Sequence, residues 1–92
     1  MKINTSKIEK IMKKLKHKNP VLFIALQKKI SQIALLDKKT IEHLKNLKKP
    51  MQHLKRVRIQ SFVLTFKLEK DTIFFEDFDH HDKIYKKNFP AS

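Results

Sequence analysis

The sequence predicts an α+β fold: an N-terminal helical hairpin packed on one face of a small antiparallel β-sheet, in the order β-α-α-β-β-β. Three observations carry this. Two successive stretches repeat apolar residues at helical spacing and meet at Asn19-Pro20. After Pro50 the apolar period switches to two. The joints between the later apolar runs, Gln60-Ser61 and Glu69-Lys70-Asp71, are short enough for hairpins. With 92 residues the chain is long enough for one domain, residues 1–92, with a modest core.

Each element has its own justification. Met1 to Asn4 reads as a short strand. The stretch TSKIEKIMKKLKHKN reads as a helix, with Ile8, Ile11, Met12 and Leu15 on one face and lysines on the other. Ser6 as N-cap and Glu9 three residues on would form a capping box. Asn19-Pro20 ends this helix and starts the next, with Asn as N-cap and Pro at the first helical position. Leu22, Leu26, Ile30 and Ile33 give the second helix its main apolar stripe. Residues 37–49 stay open between helix and extended chain: Ile41, Leu44 and Leu47 are three apart, but Thr40-Ile41 also suits a strand. LKRVRIQ alternates, with Val57 and Ile59 on one side and Arg56 and Arg58 on the other. SFVLTFKLE and DTIFFEDFD are nearly continuous apolar strands. The helices are expected on one face of this meander, with the other face partly open.

Composition narrows the function. The formal net charge is +13, which points to a polyanionic partner: RNA, DNA, an anionic membrane or an acidic protein. A generally lysine-rich surface is the plainer explanation. The charge is uneven: residues 1–70 carry 19 Lys and Arg against 4 Asp and Glu, whereas residues 71–92 carry 3 against 5. There is no cysteine, which fits a reducing, cytoplasmic setting without disulfide support. There is no glycine, which excludes glycine-rich phosphate loops and dinucleotide fingerprints. No apolar run reaches the ~18 residues of a membrane span, and no secretory leader is visible, so no membrane role is expected.

Two features could carry chemistry. The chain has only two arginines, Arg56 and Arg58, two apart on a strand and so on one face. Arginine meets phosphate with a planar fork, lysine only as a point charge. Lys45, Lys48, Lys49, His53 and Lys55 surround them and extend a phosphate track, to which Lys83 adds from the far end. The second feature is EDFDHHDKIY, residues 76–85. Adjacent His80 and His81 on a strand would point to opposite faces, and no cysteine or His-x3-His pair joins them, so no metal site is expected. RNA cleavage makes other demands: a base for the 2′-hydroxyl, an acid for the 5′-oxygen and cations for the phosphorus. Histidine can serve as either, and Tyr85 can stack on a base or donate a hydrogen bond. The bland alternative is that these residues simply end a strand and meet neighbouring lysines. Alternation alone lets either His80 or His81 face the open side.

With these residues in view, the segment from Leu44 to Tyr85 resembles the RelE/ParE superfamily of toxins from toxin–antitoxin systems. Leu44 to Lys49 look like the family's leucine–lysine segment. Arg56-Val57-Arg58-Ile59 look like its R-V-R-V strand, Ser61 to Phe66 like G-D-Y-R-V-I-Y, and Ile73 to Phe78 like its apolar strand. Asp79 to Tyr85 look like G-H-R-x-x-V-Y. The family arginine of the second strand falls at Val63, its tyrosine at Phe66, and the arginine after the histidine at His81. The resemblance implies a RelE-like toxin that cleaves mRNA, usually in the ribosomal A site, without metal or cofactor, and that a cognate antitoxin neutralises. In that reading His80, His81, Tyr85 and Arg58 are catalytic, and Arg56, Arg58 and the lysines hold RNA. The alternative is a non-catalytic homologue, either a ParE-like gyrase inhibitor or a module that only binds RNA or antitoxin.

Overall fold

The computed structural model describes residues 1–46, 53–84 and 86. The elements are β1 (Lys2–Asn4), a 3-10 turn (Ser6–Ile8), α1 (Glu9–Lys18), α2 (Pro20–Ala34), α3 (Lys38–Glu42), β2 (Lys55–Ile59), β3 (Phe62–Glu69), β4 (Thr72–His80) and α4 (His81–Ile84). The expected α+β architecture is present. The strand order is β1-β4-β3-β2. Strands β2, β3 and β4 form the antiparallel meander, whereas β1 joins the β4 edge in parallel, so the sheet is mixed. A parallel pair needs a long crossover, and the helices between β1 and the meander supply it.

The helices begin for identifiable reasons. Asn19 caps α2 by accepting the Leu22 N–H on Oδ1 at 3.2 Å, and Pro20 stands at the first helical position. Asp37 caps α3 the same way, accepting from Thr40 N–H at 2.7 Å, which resolves residues 38–42 as helix. Helix α1 differs from expectation. Ser6 does not cap it, and the Ser6–Glu9 capping box is not formed. Asn4 Oδ1 instead takes both the Ser6 N–H at 3.0 Å and the Ser6 hydroxyl at 2.7 Å. The serine side chain is therefore turned back toward β1, and a 3-10 turn precedes α1.

One apolar core lies between the helices and the sheet. Leu22, Leu26, Ile30 and Ile33 of α2 meet Ile59, Leu64, Phe66, Ile73, Phe75 and Phe78, with Ile8 and Ile41 completing the cluster. Ile11, Met12 and Leu15 of α1 pack against it. Phe75 and Phe78 are three apart, so strict alternation would send them to opposite faces. A β-bulge resolves this. Thr65 pairs with Asp77 and Phe66 with Phe75, leaving Glu76 as the extra residue. Both phenylalanines then point to the helices. The bulge also fixes the strand end: His80, opposite Phe62, shares the helix-side face, and Asp77 and Asp79 share the other.

That second face carries Arg56 and Arg58 on β2, Val63 and Thr65 on β3, and Asp77 and Asp79 on β4. It is open along β2, where Arg58 is exposed and Arg56 half-buried. Its middle is closed: Val63, Thr65 and Asp77 are all buried. Helix α4 lies against β3 and β4 and buries Ile84 completely.

Candidate nucleic-acid interface

Strand alternation turns Arg56 and Arg58 to one face, as their spacing predicts, opposite Thr65 and Val63. Each uses its Nε on the backbone: Arg56 donates to Asn46 O at 3.3 Å, and Arg58 to Gln60 O at 2.9 Å. Neither forms an ion pair with a carboxylate among the described residues. Two anchored guanidinium groups thus keep their charge available at an open sheet edge. Arg56 is further fixed by its own N–H, which donates to Lys45 O at 2.8 Å.

The surrounding cations divide. Lys45 is exposed beside Arg56, and Lys83 is exposed on α4. Lys55 does not join the arginines. It lies opposite Phe66 on the helix side, and its ammonium donates to Glu42 O (3.0 Å), Leu44 O (3.1 Å) and Asn46 Oδ1 (2.9 Å). It closes the carboxyl end of α3 and orders the loop that holds Arg56. His53 is half-buried, with Nε2 buried and unpartnered among the described residues. Lys48, Lys49 and Tyr85 lie outside the described residues.

The two histidines separate at the end of β4. His80 sets its ring edge-on to Phe62, centroids 5.6 Å apart. Its Nδ1 accepts the Asp82 N–H at 3.2 Å, so the neutral ring carries its proton on Nε2. His81 starts α4, and its N–H donates to Ser61 O at 2.9 Å. Asp82 stands between them, with Oδ2 3.6 Å from His80 Nδ1 and Oδ1 3.7 Å from His81 Nδ1. One carboxylate therefore lies near both imidazoles. No three His, Asp or Glu side chains gather as metal ligands among the described residues.

Sequence reasoning missed two contributors. Asp82 was visible as the acid following the histidine pair, but only the turn into α4 makes it their shared neighbour. The Gln60-Ser61 turn left no side-chain signal, because it acts through its backbone. Its first carbonyl holds the Arg58 guanidinium and its second holds the His81 N–H. Arg58 on β2 and the histidine end of β4 are thus tied to two successive carbonyls, across the intervening strand β3.

The chain is similar in sequence to known proteins. Over 83 residues, covering 87% of this chain and 84% of the relative, it is 41% identical to the protein named "Putative toxin RelE4" of Methanocaldococcus jannaschii. A 44-residue stretch, 45% of the chain, is 57% identical to an uncharacterized protein of Methanosarcina mazei and spans about half of it (51%). No family model matches, and neither does any solved structure. An identity of 41% across most of both chains makes this chain a member of the RelE-like toxin family.

Proposed function

We propose that the chain, acting over residues 1–92 as one domain, is an endoribonuclease that cuts mRNA on the ribosome without metal or cofactor. It works in the cytoplasm, and a cognate antitoxin protein holds it inactive. The observation that carries the reading is the Arg56–Arg58 pair. Two guanidinium groups stand free of carboxylates on one face, and one is held by the same turn as His81.

The chemistry would proceed by attack of the 2′-oxygen on phosphorus. His81 takes the 2′-hydroxyl proton as the O2′–P bond forms and the P–O5′ bond breaks. The departing 5′-oxygen takes its proton from solvent; His80, on the helix-side face, acts instead by holding the turn that presents His81, its Nδ1 accepting the Asp82 N–H at 3.2 Å. Arg56 and Arg58 bind the non-bridging oxygens and offset the charge that builds on them. Tyr85 positions the base or the 2′-hydroxyl. Lys45, Lys48, Lys49 and Lys83 hold the RNA backbone. The products are a 2′,3′-cyclic phosphate and a free 5′-hydroxyl.

Induced expression in cells, with RNA ends mapped at nucleotide resolution, tests this. New 5′ ends in register with codons are expected, and they should disappear with His80→Ala plus His81→Ala. Arg56→Lys plus Arg58→Lys keeps the charge and loses the fork, and cutting should drop at least ~10-fold. One observation favours a second reading. The family's β3 arginine falls at Val63, which is only 1% exposed, so that position offers no cation to a phosphate. A toxin that binds without cutting would arrest growth without new RNA ends. If DNA gyrase then stalls, the target is gyrase, as for ParE-like members.

A further inference from the structure

Helix α1 carries an unusual charge pattern. Lys10, Lys13, Lys14 and His17 follow the i, i+3, i+4, i+7 rule and form one face. That face lies directly opposite Ile11, Met12 and Leu15, which turn to the core. All four side chains are exposed. None has a hydrogen bond or ion pair among the described residues. The helix contains one acid, Glu9, in its first turn. Like charges at these spacings repel and weaken a helix. Solubility would be met as well by mixing glutamate with lysine, which would remove that repulsion.

The position of the face matters as much as its charge. α1 covers the helix side of the sheet, whereas Arg56 and Arg58 face the other side. A phosphate held by the arginines cannot also lie on α1. We infer that the Lys10–Lys13–Lys14–His17 face of α1 is a second polyanion surface that grips the phosphate backbone of a structured RNA, separate from the strand at Arg56 and Arg58.

The chemistry selects a nucleic-acid backbone over a membrane, and the RNA target proposed above makes that backbone RNA. The four positions span ~10 Å along the axis. A continuous row of phosphates answers a row of one sign throughout its length. An anionic membrane would attract the lysines too, but amphipathic surface binding needs apolar side chains to enter the lipid. Ile11, Met12 and Leu15 are committed to the core. The grip is independent of sequence, because lysines on phosphates read no base. The inference needs no cleavage, so it stands whether or not the chain is a nuclease.

The test uses the full chain and a 20-base-pair RNA duplex, with binding followed by fluorescence anisotropy from 50 to 300 mM salt. Lys10→Gln, Lys13→Gln and Lys14→Gln together should weaken binding at least ~10-fold at low salt. The slope of log affinity against log salt should become shallower by about 2 to 3. Glutamine keeps helix propensity, so the fold should hold, and circular dichroism checks this. Lys38→Gln plus Lys39→Gln, at exposed positions of α3 outside both surfaces, should change duplex binding less than ~2-fold. The proposal is overturned if the lysine variant of α1 keeps wild-type affinity and slope. It is overturned equally if the α3 variant loses as much duplex binding as the α1 variant. Loss of binding to phosphatidylserine vesicles with RNA binding intact would also overturn it, and would assign the face to membranes.

Discussion

Glu76→Gln should destabilise the protein by about 2 kcal/mol. Glu76 is the bulged residue of β4, and its side chain is only 8% exposed. Its carboxylate takes the Lys7 ammonium at 2.6 Å and the Lys67 ammonium at 3.4 Å. Lys7 is 61% exposed, so its share is that of a surface pair, ~0.5 kcal/mol. Lys67 is 20% exposed and keeps Glu69 at 3.1 Å after the substitution, so its share sits at the low end for a charged hydrogen bond, ~1.5 kcal/mol. Glutamine preserves shape, so packing should not add to the loss. For a chain of this size, 2 kcal/mol lowers Tm by roughly 10 °C. Urea and thermal unfolding should show a lower midpoint with an unchanged urea dependence. A shift under ~2 °C would refute the reasoning, and Glu69→Gln, at a more exposed carboxylate, should cost less. The pH dependence has a definite sign. Hydrogen bonding to Glu69, with help from Glu76, raises the Lys67 pKa above its ordinary value of 10.5. The contribution is complete below that value and is lost as pH rises through the raised pKa. Wild type and Lys67→Met should therefore converge in stability only at strongly alkaline pH.

Further outcomes follow from other sites. Gln60 (φ 56°) and Lys70 (φ 57°) hold left-handed backbone that glycine would adopt without a Cβ clash, so Gln60→Gly and Lys70→Gly should each stabilise by ~0.5–1 kcal/mol in chemical denaturation. Leu26→Ala, at a completely buried position of α2, should cost about 2–5 kcal/mol. Asp37 is held below its ordinary 3.8 by its hydrogen bonds to Thr40, so its capping is complete above that value and is lost as pH falls through the lowered pKa. Asp37→Ala should speed amide exchange in α3 at neutral pH and make no difference in strong acid.

The parts of the fold that are legible in the sequence are those where one local rule decides. Asn19-Pro20 fixes a helix start, and Leu22 to Ile33 fix its buried stripe. The alternation of LKRVRIQ already separates Arg56 and Arg58 from Val57 and Ile59. What is not legible depends on pairing. Nothing local says that residue 76 is extra, yet that bulge decides that His80 shares the helix-side face and Asp79 the arginine face. Ser6 looks like a cap, but the better acceptor was Asn4, two residues earlier. Lys55 looks like one more phosphate contact, but it is held by oxygens of residues 42, 44 and 46, a loop whose path the sequence leaves open.

The Gln60-Ser61 turn sets a limit on how this chain can vary. Its two carbonyls act as a fixed gauge between Arg58 and His81. An inserted residue there would leave the strands paired but slide one anchor past the other, so the arginine and histidine ends would fall out of step while the protein stayed folded. The hairpin at Lys70-Asp71 bears no such duty toward either group. Length changes among functional relatives should therefore collect at the second hairpin and be absent from the first, even though both turns join strands equally well.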